Sequence, residues 1–147
     1  MVGKLDLLPA VFEKIIIPAY VMSEILALEK SGWDLSPIKN ADWIEIRNAT
    51  DQVAITLLMK TIHRGESEAI VLAREIQADY LLMDESNGRK IAVANGLKII
   101  GLLGVLLEAK EANLIASVKP ILDDLIHIAK FRVRESLYYQ VLMKAGE

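Results

Sequence analysis

The chain has 147 residues, 53% of them apolar and 25% charged, with a formal net charge of −3. That is the size of one domain, with enough apolar material for one core, and it excludes global disorder. The lack of cysteine excludes disulfides, iron–sulfur clusters and thiolate zinc sites.

The two histidines, His63 and His127, stand far apart in sequence. Oxygen ligands are therefore left to hold any metal, which points to Mg²⁺ or Mn²⁺. No signal-peptide pattern opens the chain. The longest apolar runs, residues 15–22 and 99–107, fall short of the roughly 20 residues a bilayer span needs. The expectation is a cytoplasmic protein with no membrane partner.

In chain order, residues 5–12 read as a short helix. Ile15–Ile17 is a β-branched run and reads as a buried strand. Pro18 suits the first turn of a helix running to about residue 30. Residues 30–37 read as a loop, 43–47 as a second strand and 51–62 as a helix. Gly65 opens the next helix, where Ala69, Leu72, Ala73 and Ile76 keep the i, i+3, i+4, i+7 spacing. Residues 80–83 form an apolar third strand, 89–95 a helix stopped by Gly96, and 98–100 a fourth strand. Beyond Gly101 the chain reads as helical, over 103–111, from a Ser117 cap to about 129, and over 135–145. Strands alternating with helices predict a parallel sheet whose site lies beyond the carboxyl ends of the strands. Lys130, Arg132 and Arg134 form a local basic cluster, to be read as a solvated surface or as a binding site.

Three carboxylates stand apart from those on polar helix faces. Glu24 shares its face with Val21 and Leu28, an apolar stripe on which an unpaired carboxylate is costly. It is either a boundary residue reaching to water or part of a site. Glu68 has Val71 and Leu72 at i+3 and i+4; with Gly65 as N-cap it would occupy N3 and serve the helix end instead. Asp84 follows the third strand directly, as a turn residue or a ligand. Together they predict one carboxylate cluster at a sheet edge. A divalent cation would neutralise such a cluster and activate water against a phosphodiester.

The segments Gly3-Lys4-Leu5-Asp6-Leu7-Leu8, Ile17-Pro18 through Glu24-Ile25, Gly65-Glu66-Ser67-Glu68-Ala69-Ile70, Leu82-Met83-Asp84-Glu85 and Gly88-Arg89 through Ala92 follow one another along the chain. So do Gly96-Leu97, Gly101 through Gly104-Val105-Leu106-Leu107 to Ala109-Lys110, and the closing residues from Leu142 to Glu147. In this order they resemble a bacterial and archaeal branch of the PIN superfamily similar to VapC toxins. The order carries the resemblance, which covers nearly the whole chain.

The resemblance implies a three-layer α/β/α fold in a single domain over residues 1–147. A short, mostly parallel sheet, with about four strands in this chain, would precede a helical C-terminal part. It implies cleavage of single-stranded RNA with Mg²⁺ or Mn²⁺. Glu24, Glu68 and Asp84 would be the catalytic, metal-holding residues, and Glu85 an auxiliary one. An antitoxin protein is implied as a partner, and a non-catalytic PIN-like domain that binds RNA or protein is the alternative. The family normally begins with a strand ending in Asp-Thr-Ser or Asp-Ser-Ser, shortly before the segment that here starts at Gly3; Asp6 matches an ordinary helix position. The chain is thus expected to be N-terminally truncated relative to the family, without its first strand and first acidic ligand. In the family that strand lies between those matching Ile15–Ile17 and residues 80–83. Without it the two are expected to pair directly or to take a strand from another protomer, which makes a homo-oligomer the expectation.

Overall fold

The structure is a computed structural model that describes residues 4–147. Gly3, which opens the first of the family-like segments, lies outside the described residues. The helices are α1 (Leu7–Phe12), α2 (Ala19–Ala27), α3 (Ser36–Lys39), α4 (Gln52–Leu58), α5 (Arg64–Glu75), α6 (Ser86–Ala94), α7 (Leu102–Glu111), α8 (Lys119–His127) and α9 (Glu135–Lys144). The strands are β1 (Ile15–Ile17), β2 (Ile44–Ile46), β3 (Leu81–Leu82) and β4 (Ile99–Ile100). Among the described residues, no helix is long and apolar enough to cross a membrane. Two compact units are present, Lys14–Gly101, and Leu102–Glu147 together with the described residues through Glu13.

The Lys14–Gly101 unit is mixed α/β, with every recorded strand pair parallel, as a PIN-like α/β/α fold requires. β1 pairs with β2 in the register Ile15 to Ile44 and Ile17 to Ile46. β3 pairs with β4, Leu81 to Ile99 and Leu82 to Ile100. The expected single sheet is instead two separate two-stranded sheets, β1-β2 and β3-β4, among the described residues. The direct pairing of β1 with β3 is not formed. Alternation of strand and helix dictates parallel pairing but says nothing about whether successive pairs join.

Helix α5 packs against both sheets. Its Val71 and Leu72 form one cluster with Ala49 and Ile55, onto which Ile16 of β1 packs. Its Ile70 and Ala73 form another with Leu81, Met83 and Ala92. Burying side chains of this size contributes about 1.5–3 kcal/mol each, so the helix that stitches the two sheets together is also a main source of the unit's stability.

Several element ends differ from expectation for local reasons. α2 stops at Ala27 and tightens into a 3₁₀ turn over Leu28–Ser31, closed by Gly32 at φ 85°. The segment read as a loop contains α3, started by Asp34 Oδ1 accepting from the Ser36 N–H at 3.0 Å. α6 begins at Ser86 and ends as expected: the Leu97 N–H reaches the Ala92 carbonyl at 3.0 Å around Gly96, whose φ is 76°.

The second unit is helical. Leu106, Val118, Ile121, Leu122, Val141 and Leu142 from α7, the start of α8 and α9 form its core, with Leu7 of α1 packed on it. Ser117 does not cap α8. Its hydroxyl donates to Glu147 at 2.5 Å, and the Glu147 carboxylate takes over the helix end, accepting from the Val118 N–H at 2.7 Å and the Lys119 N–H at 3.0 Å. An ionised acceptor beside the positive end of a helix outcompetes a hydroxyl. The Ser117 hydrogen bond first, then the two backbone donors, bring the Glu147 carboxyl down from its ordinary 4.5 to about 2.

A depressed carboxyl contributes stability that is present above the unfolded value and is lost as pH falls toward the folded one. Glu147→Gln should therefore lower Tm at pH 7, and the difference from wild type should shrink between pH 4.5 and about 2. Thermal melts at pH 7 and near pH 3 check this; an equal difference at both would show that the charge does not cap α8.

Candidate active site

α2 leaves β1 through Pro18, whose φ of −57° and ψ of 143° turn the chain into the helix at Ala19. Tyr20 and Glu24 lie one turn apart on α2, which packs on α5. The close approach depends on Gly65. A Cβ there would stand 2.7 Å from Glu24 Oε2 and 3.3 Å from Val21 Cγ2. The Glu24 carboxylate therefore rests on the first turn of α5, where free N–H groups and the helix dipole favour an anion. The residue is exposed, so its carboxylate reaches water past the apolar stripe it shares with Val21 and Leu28. Among the described residues its carboxylate has no hydrogen-bond or ion-pair partner.

Glu68 is 8% exposed and is one of two buried polar residues among those described, the other being Ser67. The N-cap of α5 is His63, not Gly65, so N3 is Glu66, and Glu66 Oε2 accepts from the His63 N–H at 3.1 Å. The capping role open to Glu68 in the sequence is thus filled by Glu66. The Glu68 carboxylate instead accepts from Arg64 Nε at 2.8 Å across one helical turn. That hydrogen bond holds the Arg64 proton more tightly than usual, against the opposing effect of burial. Arg64 also lies over the Tyr20 ring, its Cζ 4.4 Å from the centroid. Tyr20, Arg64 and Glu68 thus form one chain of contacts beside the Glu24 carboxylate.

Asp84 follows β3 directly. Its Oδ1 lies 2.5 Å from the point a Cβ on Gly101 would occupy, and Arg89 Nη1 lies 2.7 Å from that same point. Arg89 Nη1 also donates to the Met83 carbonyl at 3.0 Å. Only glycine at 101 lets both side chains converge at the carboxyl ends of β3 and β4. Glu85 is the exposed N-cap residue of α6, and its side chain makes no cap hydrogen bond.

Glu24 and Glu68 are brought to one helix turn, and Asp84 to the strand ends. Among the described residues, no group of three or more His, Asp or Glu side chains lies close enough together to hold a metal ion. The donors are hard carboxylate oxygens, the right chemistry for Mg²⁺ or Mn²⁺. One of them, Glu68, already has an internal cation in Arg64. The sequence reading missed Arg64 and Tyr20. The i, i+4 spacing of Arg64 and Glu68 was visible, whereas the stacking on Tyr20 depends on how two helices pack.

A family model described as a PIN domain matches residues 1–147. No curated protein gives a match. No solved structure gives a match.

Gly65→Ala should leave the fold intact and displace Glu24. The new methyl meets the end of a flexible side chain, Val21 has to give by only tenths of an ångström, and alanine is favoured over glycine in helices by up to about 1 kcal/mol. A crystal structure with Glu24 unmoved, or a Tm fall of more than about 8 °C, would contradict this.

Proposed function

The chain belongs to the PIN-domain family, and from that premise we propose that it is a metal-dependent endoribonuclease acting on single-stranded RNA. Its acidic residues are Glu24, Glu68 and Asp84, and its cofactor is Mg²⁺ or Mn²⁺. The family has a nuclease-type fold and generally depends on divalent metals. The observation that carries the reading is the placement of Glu24. An exposed carboxylate with no partner among the described residues, seated against Gly65 on a helix N-terminus, does no evident structural work. The proposal extends to a role as the toxin of a toxin–antitoxin pair, with an antitoxin protein as partner.

One observation favours a second reading, a non-catalytic PIN-like domain that binds RNA or protein. Arg64 neutralises Glu68, and no three carboxylates stand together among the described residues. Incubating single-stranded RNA with Mg²⁺ or Mn²⁺ separates the two: binding without turnover by the wild type selects the second. Under the first, Asp84→Asn keeps the shape, removes the charge, and should weaken Mn²⁺ binding and cleavage together. Calorimetry giving equal Mn²⁺ affinity for wild type and variant would remove Asp84 from the site.

The proposal includes a homo-oligomer. Among the described residues β1 and β3 are each hydrogen-bonded to one strand, and α5 underlies both. A strand from a second copy would satisfy the backbone groups of both. Light scattering at micromolar concentration should give more than the 16.3 kDa of one chain; a folded monomer would exclude an obligatory exchanged strand.

A further inference from the structure

The helical unit carries a feature that the proposed site does not use. Between α8 and α9, residues 128–134 run without regular secondary structure; 128–130 are all exposed, and beyond them exposure alternates, with Phe131 and Val133 half-buried and Arg132 and Arg134 exposed like Lys130. The alternation is pinned from inside. The Phe131 N–H donates to the Leu125 carbonyl of α8 at 2.9 Å. Val133 packs against the core of α7, α8 and α9. Arg134 is extended, with φ −69° and ψ 144°, where it meets α9.

In extended chain, side chains two residues apart point the same way, about 6.6 Å apart, as the exposure of Arg132 and Arg134 reflects. Lys130, at φ 56°, turns the chain into this stretch, so the exposed surface carries two cations in register and a third next to them. None of the three makes an ion pair or a side-chain hydrogen bond among the described residues, whereas Lys14, Lys39, Arg47, Arg64, Arg74, Lys110 and Lys119 all pair with carboxylates. The stretch from Leu125 to Arg134 contains no acidic residue, although Asp124 and Glu135 border it. In a chain of net charge −3, an unpaired cationic row on a pinned segment is a local reversal of sign.

We infer that Lys130, Arg132 and Arg134 form a phosphate-contacting ribbon that binds the backbone of single-stranded RNA. Exposed cations grouped along one pinned segment fit a polymer with one negative charge per repeat, and the two guanidinium forks suit bidentate contact with phosphate oxygens. The inference deepens the proposed ribonuclease reading and rests on it for the choice of RNA. The contacts are to backbone only, so they supply affinity and placement without sequence preference.

The experiment measures the affinity of the full chain for a fluorescein-labelled single-stranded oligouridylate by anisotropy, in EDTA, across a salt series. Each phosphate neutralised contributes about 0.7 to the slope of log affinity against log salt on a single strand. The variant Lys130→Gln/Arg132→Gln/Arg134→Gln should lose about 2 from that slope and roughly tenfold or more in affinity at low salt. The charge-conserving variant Lys130→Arg/Arg132→Lys/Arg134→Lys should keep the slope. The same loss in both variants would assign the effect to folding and overturn the ribbon, as would an unchanged slope in the glutamine variant or no binding by the wild type. Polyglutamate competing as well as RNA of equal charge would overturn the choice of RNA. Cleavage assays on the wild type keep the two claims apart. A wild type that binds with the expected slope but does not cut sinks the nuclease and leaves the ribbon; one that cuts while the glutamine variant binds unchanged does the reverse.

Discussion

The Lys14–Gly101 unit depends on the burial of α5 on two neighbouring faces at once. A helix can bury one apolar stripe against one sheet and leave its other side polar. α5 does more: Ile70, Val71, Leu72 and Ala73 are four consecutive buried residues, so its apolar surface is wide enough to meet β1 through Ile16 and β3 through Leu81 and Met83. This also fixes the site. With its C-terminal turns packed on two sheets, the first turn of α5 is a rigid platform, and Gly65 on that turn sets how closely α2 can bring Glu24.

What was legible in the sequence follows the range of the forces involved. β1, the i, i+3, i+4, i+7 face of α5 and the Gly96 stop were legible because β-branching, amphipathic spacing and left-handed glycine act over a few residues. α5 starts at Arg64, one residue before the Gly65 opening read from the sequence, because the helix end is capped by His63 with Glu66 rather than by Gly65 with Glu68. Ser117 was misread for a related reason. It is a good N-cap by its chemistry, but Glu147, thirty positions on, supplies a charged acceptor that no local pattern reveals. The division of the strands into two pairs was not legible, since strand pairing is set between elements.

The site shows the same split. Glu24, Glu68 and Asp84 stand out in the sequence by chemistry that sits oddly in its local pattern and by a resemblance in motif order. The structure gives each a distinct environment: Glu24 exposed over Gly65, Glu68 buried and paired with Arg64, Asp84 beside Arg89 above Gly101. The two glycines were visible in the sequence, but their purpose was not. Each leaves space for a carboxylate, and that role is defined only when a second element approaches.

Arg64 holds the key to how such a site would work. Its side chain is half-exposed while its partner Glu68 is nearly buried, so the pair is screened on one side and desolvated on the other. Breaking a pair of this kind by removing the cation leaves a desolvated carboxylate, which is costly. A divalent ion that replaced the guanidinium would restore the charge balance, and Arg64 could remain stacked on Tyr20 without Glu68, because the ring contact needs only the planar face.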